Sequence, residues 1–260
     1  MKEKILRIIF TFFIIGIILF EFTFMANASE DISNELICWG LKRGTDYSQP
    51  TLDTESLEIL NKYGGISMGS EEESYVYLTF DLGYEAGYTE QILDVLKENN
   101  ITAAFFITGH YLNTNEDLVK RMIEEGHIVG NHTVNHKCLV DLSDEEIEEE
   151  IMSLHTALYD KFGYEMKYFR PPQGEFSQRV LEIAQNLGYT AVLWSSAYDD
   201  WDENNQNREE YGKSKILDNL HNGCVLLLHG TSKDNSNILD EVIKETISMG
   251  YEFKSLDELI

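Results

Sequence analysis

The residues able to do chemistry in this chain sit where apolar runs end. Asp81 closes the stretch YVYLTFDLG from Tyr75 to Gly83. A β-rich segment that delivers a carboxylate at its C-terminal end is how a barrel enzyme presents a catalytic group. His132 and His136 in NHTVNH, Arg170 in RPPQG, Asp200 and Trp201 in YDDW, and His229 in VLLLHG occupy comparable positions. Two histidines four apart place both imidazoles on one side of a helical turn or tight loop, which suits a divalent metal, although such pairs also arise often by chance. Arg170, before two prolines, has a rigid backbone and taken alone reads equally as half of a structural ion pair. His229, after three leucines, reads equally as a satisfied core histidine. An acid buried at the end of Tyr75 to Asp81 needs a partner because isolated buried charge is costly, and Arg170 is the candidate.

Regular elements must hold these groups. Apolar, β-branched or aromatic runs occur at Tyr75 to Asp81, Ala103 to Gly109, His127 to Thr133, Tyr168 to Pro172, Thr190 to Ser196, Cys224 to His229 and Glu252 to Leu256, with helical spacing between most of them. Asn115 is placed to cap a helix burying Leu118 and Met122 and ending at Gly126. Ser143 with Glu146 forms a capping box before Ile147, Ile151, Leu154, Leu158 and Phe162. Ser177 starts a further helix that ends at Gly188, and a last one buries Ile238, Val242 and Ile247 before Gly250. Strands alternating with helices predict an α/β fold with a parallel barrel, closed or nearly so. Residues 29–72, with Trp39, Gly40, Pro50 and a short helical pattern through Leu57, Leu60 and Tyr63, are expected to form an extension packed on it. The acidic run Asp144 to Glu150 reads as the solvated face of its helix.

At 260 residues and 43% apolar, the chain can bury a substantial core as one catalytic domain. The formal net charge of -26, from 46 acids against 20 bases, excludes a nucleic-acid role, since a polyanion would be repelled. Residues 1–28 read as a signal peptide or membrane anchor. Lys2, Lys4 and Arg7 precede an apolar run from Ile8 to Phe20, shorter than the roughly 20 residues of a span, and Ala26-Asn27-Ala28 offers a cleavage site. Either form places the remainder outside the cytoplasm. Cys38, Cys138 and Cys224 have neither a disulfide framework nor a metal-binding spacing and are expected to be reduced.

Taken together, TFDLG at 79–83, HTVNH at 132–136, RPPQG at 170–174, DW at 200–201 and LLLH at 226–229 resemble, in order and spacing, the five motifs of the polysaccharide deacetylases, carbohydrate esterase family 4. The likeness covers 73–260, the expected NodB homology domain. It is closest to the branch that de-N-acetylates muramic acid on the way to muramic δ-lactam in the spore cortex, through FDLGYEAGYT at 80–89, TGHYL at 108–112, WSSAYDDW with NNQ at 204–206, and WGL at 39–41. The resemblance implies a distorted (β/α) barrel of seven or eight strands and hydrolysis of an N-acetyl amide on a peptidoglycan strand. It further implies Asp81 as the general base, Arg170 as its orienting partner, and His229 as the general acid tuned by Asp200. His132 and His136 would be ligands of a divalent metal, zinc or similar, and Trp201 would line the groove. That division suits an amide, which needs an activated nucleophile, a stabilised oxyanion and a protonated leaving nitrogen.

Three positions depart from the family pattern. Leu82 stands where a second aspartate usually supplies the third metal ligand, which predicts weak divalent binding; a carboxylate there would tighten it only if the side chain faces His132 and His136. Ala197 replaces an acid before DW, and Gln173 replaces a tyrosine after the prolines, both marking a different substrate pocket. His110, after the second strand, is expected to contact sugar. His127 is expected to be structural and His155 solvated, while His221 matches no motif. The expected protein is thus an exported, monomeric deacetylase of N-acetylmuramic acid, meeting a membrane only through its N-terminal segment. The alternatives are an N-acetylglucosamine deacetylase acting on peptidoglycan or chitin oligomers, and a non-catalytic glycan-binding relative.

Overall fold

The computed structural model describes residues 32–259, so the expected signal peptide or anchor lies outside the described residues. Short strands β1 (Ile37–Cys38), β2 (Leu41–Lys42) and β3 (Thr51–Leu52) and helix α1 (Thr54–Lys62) come first. A regular succession follows: β4 (Tyr75–Leu82), α2 (Thr89–Glu98), β5 (Ala104–Ile107), α3 (Gly109–Thr114), α4 (Glu116–Glu124), β6 (Ile128–Asn131), α5 (Asp144–Phe162) and β7 (Tyr168–Phe169). The chain continues through β8 (Glu175–Phe176), α6 (Gln178–Asn186), β9 (Thr190–Ala191), α7 (Glu209–Leu217), β10 (Cys224–His229), α8 (Lys233–Ser248) and β11 (Glu252–Lys254).

Seven strands make one parallel sheet in the order β10-β4-β5-β6-β7-β9, with β11 also beside β4. Beyond β9 the chain reaches the far edge: Ser195 N–H donates to the Val225 carbonyl at 3.0 Å and Leu227 N–H to the Ser196 carbonyl at 2.9 Å. Those bonds bring the two ends of the sheet together, which meets the expectation of a barrel. β7 and β9 are shorter than the apolar runs that signal them. Arg170 N–H still donates to the Asn131 carbonyl at 2.9 Å, and Pro171 and Pro172, lacking an N–H, stop pairing after it.

The two-residue period of a strand sorts side chains between two layers. Tyr77 from β4 meets Ala104, Phe106, Ile128, Tyr168, Val192 and Val225 in the barrel interior, whereas Val76, Leu78, Phe80 and Leu82 join the larger core between sheet and helices. Asp81 therefore shares the inner face with Tyr77 and Thr79, and Leu82 belongs to the outer one. The segment before the barrel is tied to it by β1 pairing antiparallel with β8, by an Ile66–Val192 bridge, and by Trp39 Nε1 donating to the Trp194 carbonyl at 2.9 Å.

Most helix signals lie where the sequence puts them. Ser143 and Glu146 form the capping box of α5, and Ser177 caps α6 by accepting from Val180 N–H. Two inward faces are rotated from expectation. In α4, Val119 and Met122 are buried while Leu118 is only partly so, and the Asn115 side chain makes no cap bond. In α8, Ile247 is exposed and Thr246 takes the inward place four residues after Val242. Cys38, Cys138 and Cys224 are free thiols.

Gly130 lies on the inner face in register with Phe106, and a Cβ there would come 2.5 Å from the Phe106 ring. Gly130→Ala is expected to displace that ring and cost about 1–3 kcal/mol through overpacking, read as a lower urea midpoint with unchanged slope.

Candidate active site

The floor of the site is an ion pair inside the barrel. Arg170, fully buried at the end of β7, donates through Nη1 to Asp81 Oδ1 at 2.7 Å, through Nε to the Val192 carbonyl at 2.9 Å and through Nη2 to Thr79 Oγ1 at 3.0 Å. Its guanidinium carbon lies 4.1 Å from the centre of the Phe106 ring. Burial alone would push the Asp81 carboxyl up, but Arg170, then His132 and His229, hold it below the usual carboxylate range. Asp81 is an anion at any working pH.

His132 follows β6 on the same inner face. Its Nδ1 lies 2.8 Å from the Arg170 carbonyl oxygen, which only accepts, so Nδ1 carries the hydrogen and Nε2 is left as a lone pair. That Nε2 faces Asp81 Oδ2 at 3.5 Å. Burial pushes the His132 imidazole down to about 4 against the pull of Asp81, and burial likewise lowers that of His136. The two rings are 4.7 Å apart, centre to centre. They are joined by a tight loop in which Thr133 and His136 adopt left-handed φ values of 67° and 55°. Asn131 Oδ1 accepts from Thr133 N–H at 2.9 Å and Thr133 Oγ1 from His136 N–H at 3.0 Å, which holds this turn.

His229 ends β10 in direct register with Asp81. The buried Asp200 carboxylate accepts from the His229 main-chain N–H and meets its Nδ1, both at 2.7 Å, and receives Asn235 Nδ2 at 2.5 Å. Burial works against charging the imidazole, yet Asp200 and then Asp81 prevail and raise its pKa. A proton on its outer nitrogen is therefore well retained.

These groups open on a cavity of about 960 Å³ lined by Asp81, His132, His136 and His229. Gln173, at a left-handed φ of 60°, His110 and Trp201 stand in its walls, Trp201 with 63% of its surface exposed. All nine residues singled out from the sequence are thus brought to one place: eight line the cavity or its floor, and Asp200 sits behind His229. Leu82 is not among the lining residues. It is fully buried, and its Cδ2 fills the space that a Cβ on Gly230 would need. His127 is buried against Phe105, as a structural residue would be. His155, expected to be solvated, instead meets the Tyr189 hydroxyl through Nδ1 at 2.7 Å.

Several supporting residues escaped sequence reasoning. Glu85 accepts from the N–H groups of Gly87, Tyr88 and Thr89 and from the hydroxyls of Thr89 and Tyr111, which pins the loop after β4 against the start of α2. Asp234 accepts from Asn207 N–H and Arg208 N–H, anchoring the far end of the loop that carries Trp201. Glu150, read as part of a solvated face, is buried. A glutamate at an inward helical position was the available signal, since Glu150 falls three residues after Ile147 and four before Leu154.

A buried carboxylate, an imidazole of raised pKa opposite it and two imidazoles of lowered pKa beside them suit hydrolysis, and the chain's class is found among known proteins. Residues 68–192 match the family model for polysaccharide deacetylase. The chain is 40% identical over 236 residues to the peptidoglycan-N-acetylmuramic acid deacetylase PdaA of Bacillus subtilis, covering 90% of each. It is 43% identical to an uncharacterised 30.6 kDa protein of Geobacillus stearothermophilus, over 94% of this chain and 92% of that one. The solved structure of Bacillus subtilis PdaA, a family 4 carbohydrate esterase, superposes with a TM-score of 0.85 over 88% of this chain and 98% of that one. The chain belongs to the polysaccharide deacetylases, the family 4 carbohydrate esterases, which are metal-dependent hydrolases acting on amide bonds.

Donor chemistry at the site fits a cation. His132 Nε2 and Asp81 Oδ2 are both acceptors and face one another with no hydrogen between them, and His136 adds an imidazole alongside. Among the described residues, however, no group of three or more His, Cys, Asp and Glu is arranged to hold a metal ion.

Removing the cation from a buried pair leaves the anion stranded. Arg170→Met is expected to destabilise the fold by about 3–5 kcal/mol. Adding Asp81→Asn to that variant should recover part of the loss, and simple additivity of the two in urea unfolding would contradict the coupling.

Proposed function

We propose that this protein hydrolyses the acetamide of N-acetylmuramic acid in peptidoglycan, after the stem peptide has been removed, so that the freed amine can close on the lactyl carboxylate to give muramic δ-lactam of the spore-cortex type. The observation that carries the reading is the placement of Asp81 and His229 as register partners lining a single cavity, the carboxyl pKa lowered and the imidazole pKa raised. The 40% identity with a relative named for that substrate supports it.

Each residue has a task in this reaction. Asp81 Oδ2 takes a proton from the attacking water, while Arg170 holds Oδ1 and keeps the carboxylate ionised and aimed. His229 gives its outer proton to the departing nitrogen as the carbon–nitrogen bond breaks, yielding acetate and a free amine. Asp200 orients that imidazole and stabilises its charge. His132 and His136 would hold a divalent ion such as zinc, which when bound supplies Lewis acidity to the acetyl group and its attacking water. With Leu82 turned into the core, the carboxylate that is the third metal ligand of the family pattern is missing, and binding is weak and exchangeable. Trp201, Gln173 and His110 contact the glycan. We further propose that residues 1–28 export the protein as a signal peptide or anchor, that 29–72 extend the barrel of 73–260, and that the enzyme works outside the cytoplasm as a monomer.

Asp81→Asn keeps the shape but cannot accept the proton. It is expected to fold while acetate release from peptide-stripped glycan falls about 10²–10⁴-fold. Full release by that variant would refute the assignment, and free glucosamine in place of lactam rings among the wild-type products would move the substrate to N-acetylglucosamine. The pH dependence has a definite sign. His229 must be protonated to act, and its pKa is raised above the ordinary 6.5, so kcat/KM should fall as pH rises through that raised value, later than for an ordinary histidine. His229→Gln should abolish this alkaline limb.

A further inference from the structure

The carboxylate of Glu150 has no task in the reaction just described, yet it is 4% exposed on a strongly acidic helix whose Glu145, Glu148 and Glu149 all face solvent. Burying a carboxylate costs several kcal/mol unless its oxygens are satisfied. Among the described residues, the side-chain partners of Glu150 lie in one loop. Oε2 accepts from Asn135 N–H at 2.8 Å and Oε1 from Asn135 Nδ2 at 2.8 Å, with Lys137 Nζ at 3.1 Å from Oε1. Its main-chain carbonyl accepts from Val134 N–H at 3.0 Å. Residues 134, 135 and 137 are thus all attached to one position of α5, and they bracket His136.

That loop needs holding. Thr133 and His136 are non-glycine residues in the left-handed region, a conformation kept only where surroundings impose it. Asn131 Oδ1 braces Thr133, and Thr133 Oγ1 accepts from the His136 N–H across the turn. His132 is fixed separately through the Arg170 carbonyl. The residues on either side of His136 are clamped by Glu150.

We propose that Glu150 is a positioning residue that holds the 133–137 loop in the conformation placing His136 beside His132, and so sets the affinity of this site for a divalent cation. The inference rests on the metal-binding role of His132 and His136 proposed above. Residues that orient metal ligands typically change affinity 10–100-fold when replaced. Glu150→Gln keeps the volume but turns an amide donor toward groups that are themselves donors and removes the charge facing Lys137.

Cobalt(II) titration of the metal-free full chain, followed by its visible absorption, tests this directly, with circular dichroism and thermal unfolding confirming the fold of each variant. The expected result is about 10–100-fold weaker Co²⁺ binding for Glu150→Gln and an altered ligand-field spectrum. Glu149→Gln, the same charge change one residue away on the exposed face, should bind like wild type. Asn135→Ala removes one bond from the loop side and should weaken Co²⁺ in the same direction, which keeps the test open should Glu150→Gln fail to fold. Wild-type affinity in folded Glu150→Gln, or in Asn135→Ala if the former does not fold, overturns the proposal. Wild-type protein that binds no Co²⁺ overturns the metal reading beneath it instead, and the two failures are told apart by that first titration.

Discussion

Everything at the site is assembled around a guanidinium laid inside a barrel. Arg170 has no contact with solvent and satisfies its donors on the Val192 carbonyl, Thr79 and Asp81, while Phe106 covers its face. A cation so placed is costly without an anion against it, and its presence holds the Asp81 carboxyl below the usual carboxylate range although burial alone would raise it. The same residue also works through its main chain, since its carbonyl sets the tautomer of His132. Carboxylate and imidazole are thereby oriented by two ends of one amino acid, and a shift of β7 would disturb both together.

The positions of the chemical groups could be read from the chain because parallel strands aim their C-terminal ends at a common face. Asp81, His132, Arg170 and His229 each follow a short apolar run, and the pleat then decides which side they enter. Asp81 is two residues from Thr79 and four from Tyr77, both inner, whereas Leu82 alternates to the outer layer with Phe80. Periodicity served less well for the helices. Val119 in α4 and Thr246 in α8 took inward places that sequence spacing gave to Leu118 and Ile247, because a rotation of one residue still leaves an apolar face on the sheet.

What the chain hid were the polar braces. Glu85, Glu150, Asn131, Asn235 and Asp234 act on main-chain groups and on neighbouring side chains whose location depends on tertiary contacts, so apart from the inward helical position of Glu150 no local pattern marks them. Glu150 is disguised by the acidic residues around it, and Glu85 lies within a motif whose other residues draw attention. His155 is a similar case: its partner Tyr189 comes from beyond the next helix in the chain, and a histidine on an outer helix looks solvated until that ring is placed. Such residues share one property. They tie one segment to another, as Asn131 and Glu150 do for the loop in which Thr133 and His136 are left-handed.

The central strand has a consequence for how the molecule is made. β4 pairs with β5, which follows it closely, but its other neighbours, β10 and β11, are the last strands of the chain. Until those arrive, the longest strand of the sheet is half unpaired and the Asp81 carboxylate lacks the walls that bury it. Contacts of such long sequence separation slow folding, because the loop entropy is lost before the contacts form. A chain emerging from its N-terminus would have to release β10 and β11 before the barrel could close around β4. Loss of even the final short strand would leave one margin of β4 bare, so the cooperative unit extends to the C-terminus, well past the last catalytic motif.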